Sequence, residues 1–250
     1  MPAPKPYQRP RRQDRPTVQW FMHLQAITLD LDDTLWPVWP AIHRAEGLLL
    51  AWLAQHAPAT HAAHDKARML ALRQAVLLAR PDWAHDLSAL RRETIRRALA
   101  SAGDDPALAE PAFEVFIAAR QQVDLYEDVL PALARLAARW PIVALSNGNA
   151  DVQRVPGLGR YFHAAVSARD LGVAKPAPLA FAEACRRAGA APAHTLHIGD
   201  DVAADVDGAL DAGLQAAWVK RPDLPAAGAP RGTPQHVVAS LTELADRLQA

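Results

Sequence analysis

Leu29-Asp30-Leu31-Asp32-Asp33-Thr34-Leu35 is the stretch on which the fold turns. It places three carboxylates within four residues, directly behind the apolar, β-like run Ala26-Ile27-Thr28-Leu29. Alternate residues of an extended strand share a face, so Asp30 and Asp32 are expected on the same side. Two acidic groups at the carboxyl end of a strand repel each other unless a cation or a shared proton compensates. An arrangement with that cost reads as a site. The plain alternative is a strand followed by an acidic turn, and the rest of the chain has to decide between them.

Beyond this strand the chain divides into two regimes. From about 37 to 125 it reads helical: 41–56, 65–79, 87–100 and 111–123 all carry apolar residues at three- and four-residue spacing. Breaks fall at Pro58, Pro81 and Gly103-Asp104-Asp105-Pro106, and no β-like run interrupts the block. From about 126 helices and strands alternate. Helices are expected over 130–139, 178–188, 203–212 and 240–248, with strands over 142–145, 164–167, 195–198 and 216–219. Such alternation predicts βαβ units and an α/β fold with a parallel sheet. The strand at 25–31 belongs with that sheet, which makes the helical block an insertion after it. The expected division is a tail over 1–21, a core from 22–36 and 126–250, and a helical domain over 37–125, with no internal repeat.

In an open α/β sheet, ligands bind outside the carboxyl ends of the strands. Asp30, Asp32 and Thr34 follow the first strand, and Ser146-Asn147-Gly148-Asn149 follow the next core strand, with a glycine that allows close backbone approach. Lys175-Pro176 comes after the 164–167 strand, and Gly199-Asp200-Asp201 with Asp205 after the 195–198 strand. Four strand ends therefore converge on carboxylates, a hydroxyl and an ammonium. That chemistry suits phosphoryl transfer with a hard divalent cation. Asp30 and Asp200 make an oxygen-donor site for Mg²⁺. The metal relieves the carboxylate repulsion and polarises a phosphoryl oxygen. Ser146 donates a hydrogen bond and Lys175 adds a positive charge for the equatorial oxygens. A carboxylate is a competent nucleophile towards phosphorus.

The set Asp30-x-Asp32-x-Thr34, Ser146, Lys175-Pro176 and Gly199-Asp200-x4-Asp205 resembles the four motifs of the haloacid dehalogenase-like hydrolase superfamily, over about 24 to 220. The resemblance implies a Rossmann-like core with a helical cap inserted after the first motif. It implies Asp30 as the nucleophile that forms an aspartyl-phosphate, and Asp32 as the acid that protonates the leaving group and then activates water. For that role Asp32 needs a pKa above the ordinary ~3.9 during part of the cycle. Mg²⁺ would be held by the Asp30 side chain, the Asp32 backbone carbonyl and Asp200. Ser146, the backbone N–H of Asn147 and Lys175 would bind phosphate. Asp201 and Asp205 are expected to orient Lys175 or metal-bound water, and Asp33 to serve a turn or a helix cap.

Dehalogenating members resemble the chain at the nucleophile but lack an acid/base aspartate two residues on, so Asp32 favours phosphate transfer. Sugar phosphomutases share the aspartate pair and stay an alternative, as does a non-catalytic interaction protein built on this fold. Leu-Asp-Leu-Asp-Asp-Thr-Leu-Trp is similar to the branch that contains phosphatases of flavin mononucleotide and of a riboflavin-pathway ribitylaminouracil phosphate.

Composition bounds the partners. Of 250 residues half are hydrophobic and 22% charged, and 27 Lys plus Arg balance 27 Asp plus Glu. No global basic field attracts nucleic acid. One cysteine, Cys185, excludes an internal disulfide and fits a reducing cytoplasm. No run approaches the ~18 apolar residues of a membrane span. The expected partner is a small phosphorylated metabolite, with neither nucleic acid nor membrane. Residues 1–19 carry five prolines and five basic residues against Asp14, without an apolar segment. They read as a disordered tail rather than a secretory signal, with Met22 as an alternative start.

Other residues carry weaker readings. Trp36 and Trp39 either stack on a planar substrate or, as favoured here, pack the junction with the helical block. His61 and His64 have a metal pair's spacing but sit in an Ala-rich loop without cysteine, which argues against zinc. Arg91, Arg92, Arg96 and Arg97 read as a solvated helix face. Cys185 reads as a core thiol, and His197, inside a strand, as structural.

Overall fold

Strand β1 (Ala26–Leu29) lies at the centre of a six-stranded parallel sheet. The computed structural model describes residues 24–225 and 228–250, so the expected tail and Met22 lie outside the described residues. The other strands are β2 (Ile142–Ser146), β3 (Ala164–Ser167), β4 (Thr195–Gly199), β5 (Gln215–Val219) and β6 (His236–Val238). Their spatial order is β3-β2-β1-β4-β5-β6. All residues of β1, β2 and β4 are buried, as expected of parallel strands covered on both faces. The chain leaves β1 towards β2 on one side and returns to β4 on the other. This reversal opens a crevice at the carboxyl end of β1, where open α/β sheets bind their ligands.

Two helical layers cover the sheet. On one face α6 (Val129–Ala137) and α10 (Leu241–Arg247) pack Leu133, Leu136 and Leu244 against Ile27 and Leu29. On the other, α8 (Pro178–Ala188) packs Phe181 and Cys185 against Val143 and Leu145. Cys185 is thus a buried core thiol, with burial pushing its pKa up. Between β3 and α8 lies the one-turn α7 (Ala168–Leu171).

Between β1 and α6 the chain forms α1 (Val38–His56), α2 (Pro58–Ala63), α3 (Lys66–Ala79), α4 (Leu87–Ala102) and α5 (Ala109–Arg120). Helix α1 buries Ala41, Ala45, Leu49 and Leu53, one residue per turn, and the last three join Phe113 and Phe116 of α5 and Ile95 and Leu99 of α4 in one cluster. These helices build a core of their own. Asp65 caps α3 through Arg68 N, and Asp86 caps α4 through Ala89 N. No described helix is long and apolar enough to cross a membrane.

Several elements differ from the sequence reading. The helix expected over 203–212 opens as a π-helix (Val202–Asp207) and continues as α9 (Gly208–Asp211). Both Asp205 N (2.9 Å) and Val206 N (3.2 Å) donate to Asp201 O, which widens the first turn. The Ala-rich stretch around His61 is a short helix, α2, started by Pro58. Helix α5 ends at Arg120 rather than 123, and β6 lies outside the strands expected from the sequence.

Candidate active site

Asp30 leaves β1 with its N–H donated to Ile198 O (2.9 Å), so the backbone of the neighbouring β4 fixes it. Its buried carboxylate accepts from Lys175 Nζ (2.5 Å), which also donates to Asp205 Oδ1 (2.6 Å). Thr34 Oγ1 lies between Asp30 Oδ2 (3.3 Å) and Asp200 Oδ1 (3.0 Å). Oxygen atoms of Asp30, Asp200 and Asp205 gather within 4.8 Å of one another.

Charge explains why such a cluster needs company. Three ionised carboxylates against one ammonium leave an excess of two negative charges, the charge that one divalent cation cancels. Burial pushes Asp30 well above its ordinary value against the pull of Lys175. Burial, and then the neighbouring Asp205, push Asp200 up to about 7. Burial alone would lower the Lys175 ammonium, but Asp205 and Asp30 hold it above its usual range. Burial would raise Asp205, yet Lys175 and His197 hold it well below. The donors are hard oxygens, which suits Mg²⁺. Asp30 and Asp200 are the side chains available to it. Both oxygens of Asp205 are already engaged, Oδ1 by Lys175 and His197 (3.0 Å) and Oδ2 by Asp201 N (3.0 Å).

A proton and a cation therefore compete at Asp200. Its folded-state pKa is raised, so its contribution favours the metal-free fold at low pH and is lost as pH rises from about 4 through about 7. A cation restores what ionisation removes. The gain in Tm from millimolar Mg²⁺ over EDTA should be larger at pH 8 than at pH 5, by thermal unfolding. An equal gain at both values would contradict this competition.

The remaining motif residues are held by the backbone. Ser146 Oγ, buried, accepts from Gly148 N (3.0 Å). The Asn147 side chain grips the Lys175 backbone from both directions, donating to Lys175 O (2.9 Å) and accepting from Lys175 N (2.8 Å). It thereby ties the end of β2 to the segment that carries the ammonium. Asp201 Oδ1 caps the π-helix at Ala203 N (2.8 Å) and Ala204 N (2.7 Å). Asp33, at φ 60°, accepts from Val38 N (2.8 Å) and so closes the turn into α1. His197 bridges Thr28 Oγ1 (2.8 Å) and Asp205 Oδ1 (3.0 Å), with burial lowering its pKa. A neutral ring protonated at Nε2 satisfies both contacts. A Cβ on Gly199 would lie 2.3 Å from Asp205 Cγ, so only glycine admits this carboxylate.

Asp32 stands apart from the cation cluster. Its Oδ1 accepts from Trp36 Nε1 (2.9 Å) and from Arg120 Nη2 at the end of α5. Its Oδ2 lies where a Cβ on Gly148 would approach to 2.3 Å and where Ser146 Oγ is near. Trp36 is fully buried in the core and offers no face to a substrate, which corrects the stacking alternative in favour of packing. Trp39 is 61% exposed and lines a cleft with Asp33, Asp200 and Trp218.

Of the arginines of α4, Arg96 and Arg97 stay on a solvated face, whereas Arg91 departs from it. Arg91 is largely buried, its guanidinium 3.8 Å above the Phe116 ring, and burial lowers its pKa to about 10. Arg92 lies over Phe113, while Arg96 and Arg97 pair with Glu93. His64 Nε2 bonds Ser101 Oγ (2.9 Å), and no metal group forms at His61 and His64 among the described residues.

Two further residues lie outside every motif in the sequence. Arg120 is one. The other is Arg221 behind β5, which donates twice to Thr34 O (2.7 and 3.1 Å) and once to Asp128 Oδ1 (2.8 Å). It pins the turn that follows Asp30.

A family model described as haloacid dehalogenase-like hydrolase matches residues 24–213. The chain is 34% identical over 201 residues to the 5-amino-6-(5-phospho-D-ribitylamino)uracil phosphatase YigB of Escherichia coli (strain K12), covering 79% of this chain and 84% of that protein. It is 35% identical over 136 residues to a phosphoserine phosphatase of Thermus thermophilus, covering 52% of this chain and 55% of that one. A solved structure of a 2-haloacid dehalogenase from Pseudomonas syringae pv. Tomato DC3000 superposes with a TM-score of 0.84 at 39% identity, covering 90% of this chain and 98% of that one.

Proposed function

The chain belongs to the haloacid dehalogenase-like hydrolase family, and from that premise we propose a Mg²⁺-dependent phosphomonoesterase that acts on a small phosphorylated metabolite through an aspartyl-phosphate. The observation that carries this reading is the junction of Asp30, Lys175, Thr34 and Asp200 at one strand end, with Asp32 beside Ser146.

Asp30 attacks phosphorus while the ester P–O bond breaks, and Asp32 gives its proton to the departing oxygen. In the second half Asp32 takes a proton from water as the new P–O bond forms, and Asp30 is released as a carboxylate. Ser146 and the Asn147 N–H hold the phosphoryl oxygens, and Lys175 places positive charge beside them. Lys175 also aims Asp30 and opposes the upward push of burial on its pKa, with Asp205 and His197 as its backing. Mg²⁺, when bound by Asp30, the Asp32 carbonyl and Asp200, supplies further charge to the phosphoryl group. The helices over 37–125 act as a cap that selects the substrate. The ribitylaminouracil phosphatase likeness supports a riboflavin-pathway phosphate as that substrate, and the single cysteine supports a cytoplasmic setting.

A second reading rests on the 39%-identical haloacid dehalogenase structure: displacement of halide from a 2-haloacid by Asp30. Asp32 favours the phosphatase, because ester cleavage needs a proton donor for its leaving group and halide departure does not. One assay separates the two. Phosphate release from a panel of phosphomonoesters, including flavin mononucleotide and ribitylaminouracil phosphate, should exceed background, with no halide released from L-2-chloropropionate. Halide release with inert phosphate esters would overturn the proposal.

A further inference from the structure

Arg120 enters the site from the last turn of α5, crossing 88 residues of sequence to reach Asp32. It is 1% exposed, and its Nε and Nη1 have no hydrogen-bond partner, which leaves Nη2 on Asp32 Oδ1 as its one polar attachment. A buried guanidinium with two unpaired nitrogens is costly, so ordinary packing does not account for its presence there. Trp36 Nε1, four residues after Asp32, donates to the same carboxylate oxygen. Both donors thus fall on Oδ1. Oδ2 is the oxygen set over Gly148, whose open Cβ position Ser146 Oγ also borders.

We propose that Arg120, with Trp36, is a positioning residue for the acid/base step: the pair pins Asp32 Oδ1, so that Oδ2 is the atom that gives the proton to the leaving oxygen and takes one from water. The inference rests on the phosphatase reading above and extends it. In the first step the Oδ2–H bond breaks and its proton goes to the ester oxygen, while that oxygen parts from phosphorus and Asp30 bonds to it. Without Arg120 the Asp32 carboxylate keeps one anchor, and rotation about its Cβ–Cγ bond takes the proton away from the leaving group. The guanidinium sits on the helical block and the carboxylate on the sheet, so the contact also makes acid/base competence depend on how the two meet.

Leaving-group dependence reads this role directly. p-Nitrophenolate departs without protonation, whereas an alkoxide does not. Arg120→Met should lower kcat on glycerol 3-phosphate by roughly 100-fold, the low end of what general acid catalysis contributes, with KM little changed. On p-nitrophenyl phosphate the burst of p-nitrophenolate, which precedes attack by water, should slow by less than roughly 5-fold, since that ester needs no proton donor. Trp36→Phe should move both rates the same way by less. In an Asp32→Asn background Arg120→Met should cost nothing further. Should Arg120→Met not fold, Arg120→Lys keeps the charge but loses the fork, and the same preferential loss on the alkyl ester is expected. A p-nitrophenolate burst slowed as much as turnover of the alkyl ester, or a full additional loss in the Asp32→Asn background, would overturn this assignment while leaving the phosphatase reading intact. A parent protein that hydrolyses no ester of the phosphomonoester panel would overturn both.

Discussion

Asp30→Asn should abolish turnover of phosphomonoesters, by roughly 10⁴-fold or more, on the scale seen when a hydrolase loses its covalent nucleophile. An amide cannot attack phosphorus, and no other carboxylate can take its place. Asp32 points its free oxygen past Gly148, Asp200 bonds Thr34, and Asp205 is locked between Lys175, His197 and the Asp201 N–H. The fold should tolerate the change. Burial holds Asp30 well above its ordinary pKa even with Lys175 beside it, so its ionised form destabilises the metal-free protein. Removing that charge should leave the metal-free Tm equal to or above that of the parent, measured at pH 8 in EDTA. Lost activity with an unchanged or raised Tm marks a chemical role. Lost activity with a collapsed Tm would mean that Asp30 serves mainly to hold the strand ends together.

Lys175→Met should have the opposite profile, with the largest stability cost of any single change in the site. Lys175 is 4% exposed, and its ammonium pairs with two buried carboxylates at 2.5 and 2.6 Å. Removing one partner of a buried ion pair costs about 3–5 kcal/mol, because the charge left behind has neither water nor counterion. The deficit should deepen with rising pH: below the shifted carboxylate pKa values Asp30 and Asp205 can take up protons instead, and above them they cannot. Urea unfolding at pH 5 and pH 8 measures both terms. Adding Asp205→Asn should recover a substantial part of the loss, since it removes one of the stranded charges. A Lys175→Met protein as stable as its parent, at both pH values, would contradict the charge balance derived for the cluster.

Much of this site could be read in the sequence because parallel sheets write their active sites in a regular way. Each strand is a short apolar run, such as Ala26–Leu29 or Ile142–Ser146, and the polar residue that follows it lies at the ligand-binding edge. Asp30, Ser146 and Asp200 are legible for that reason, and so is the α/β class. The residues that escaped lack such punctuation. Arg120 ends an ordinary amphipathic helix, and nothing in its neighbours shows that it reaches a carboxylate on the sheet. Arg221 follows β5 as one more basic residue, and its grip on Thr34 O is a tertiary fact.

The other departures have equally local causes. Strand β6 has three residues at the edge of the sheet, with Val237 exposed, too short for a period to register. The π-helix keeps the apolar spacing of an α-helix, and what widens its turn is a shared acceptor, Asp201 O. Trp36 illustrates the limit for side chains. The motif places it beside the site, but only packing tells whether its ring meets substrate or core, and it meets core. Arg91 likewise belongs to a charged run by sequence and to the Phe116 ring by structure.

The mechanism requires that a carboxylate oxygen of Asp30 bond to phosphorus. With Mg²⁺ present, the Asp32→Asn protein should form the phosphoenzyme but hydrolyse it slowly, for want of a base to activate water. Acid-quenching that protein during turnover of ³²P-labelled p-nitrophenyl phosphate, whose leaving group needs no proton, followed by peptide mapping, locates the label. The label is predicted on the acyl side chain of Asp30, and absent when Asp30→Asn is combined with Asp32→Asn. Turnover of the ester by the parent protein with no label at Asp30 would contradict the mechanism.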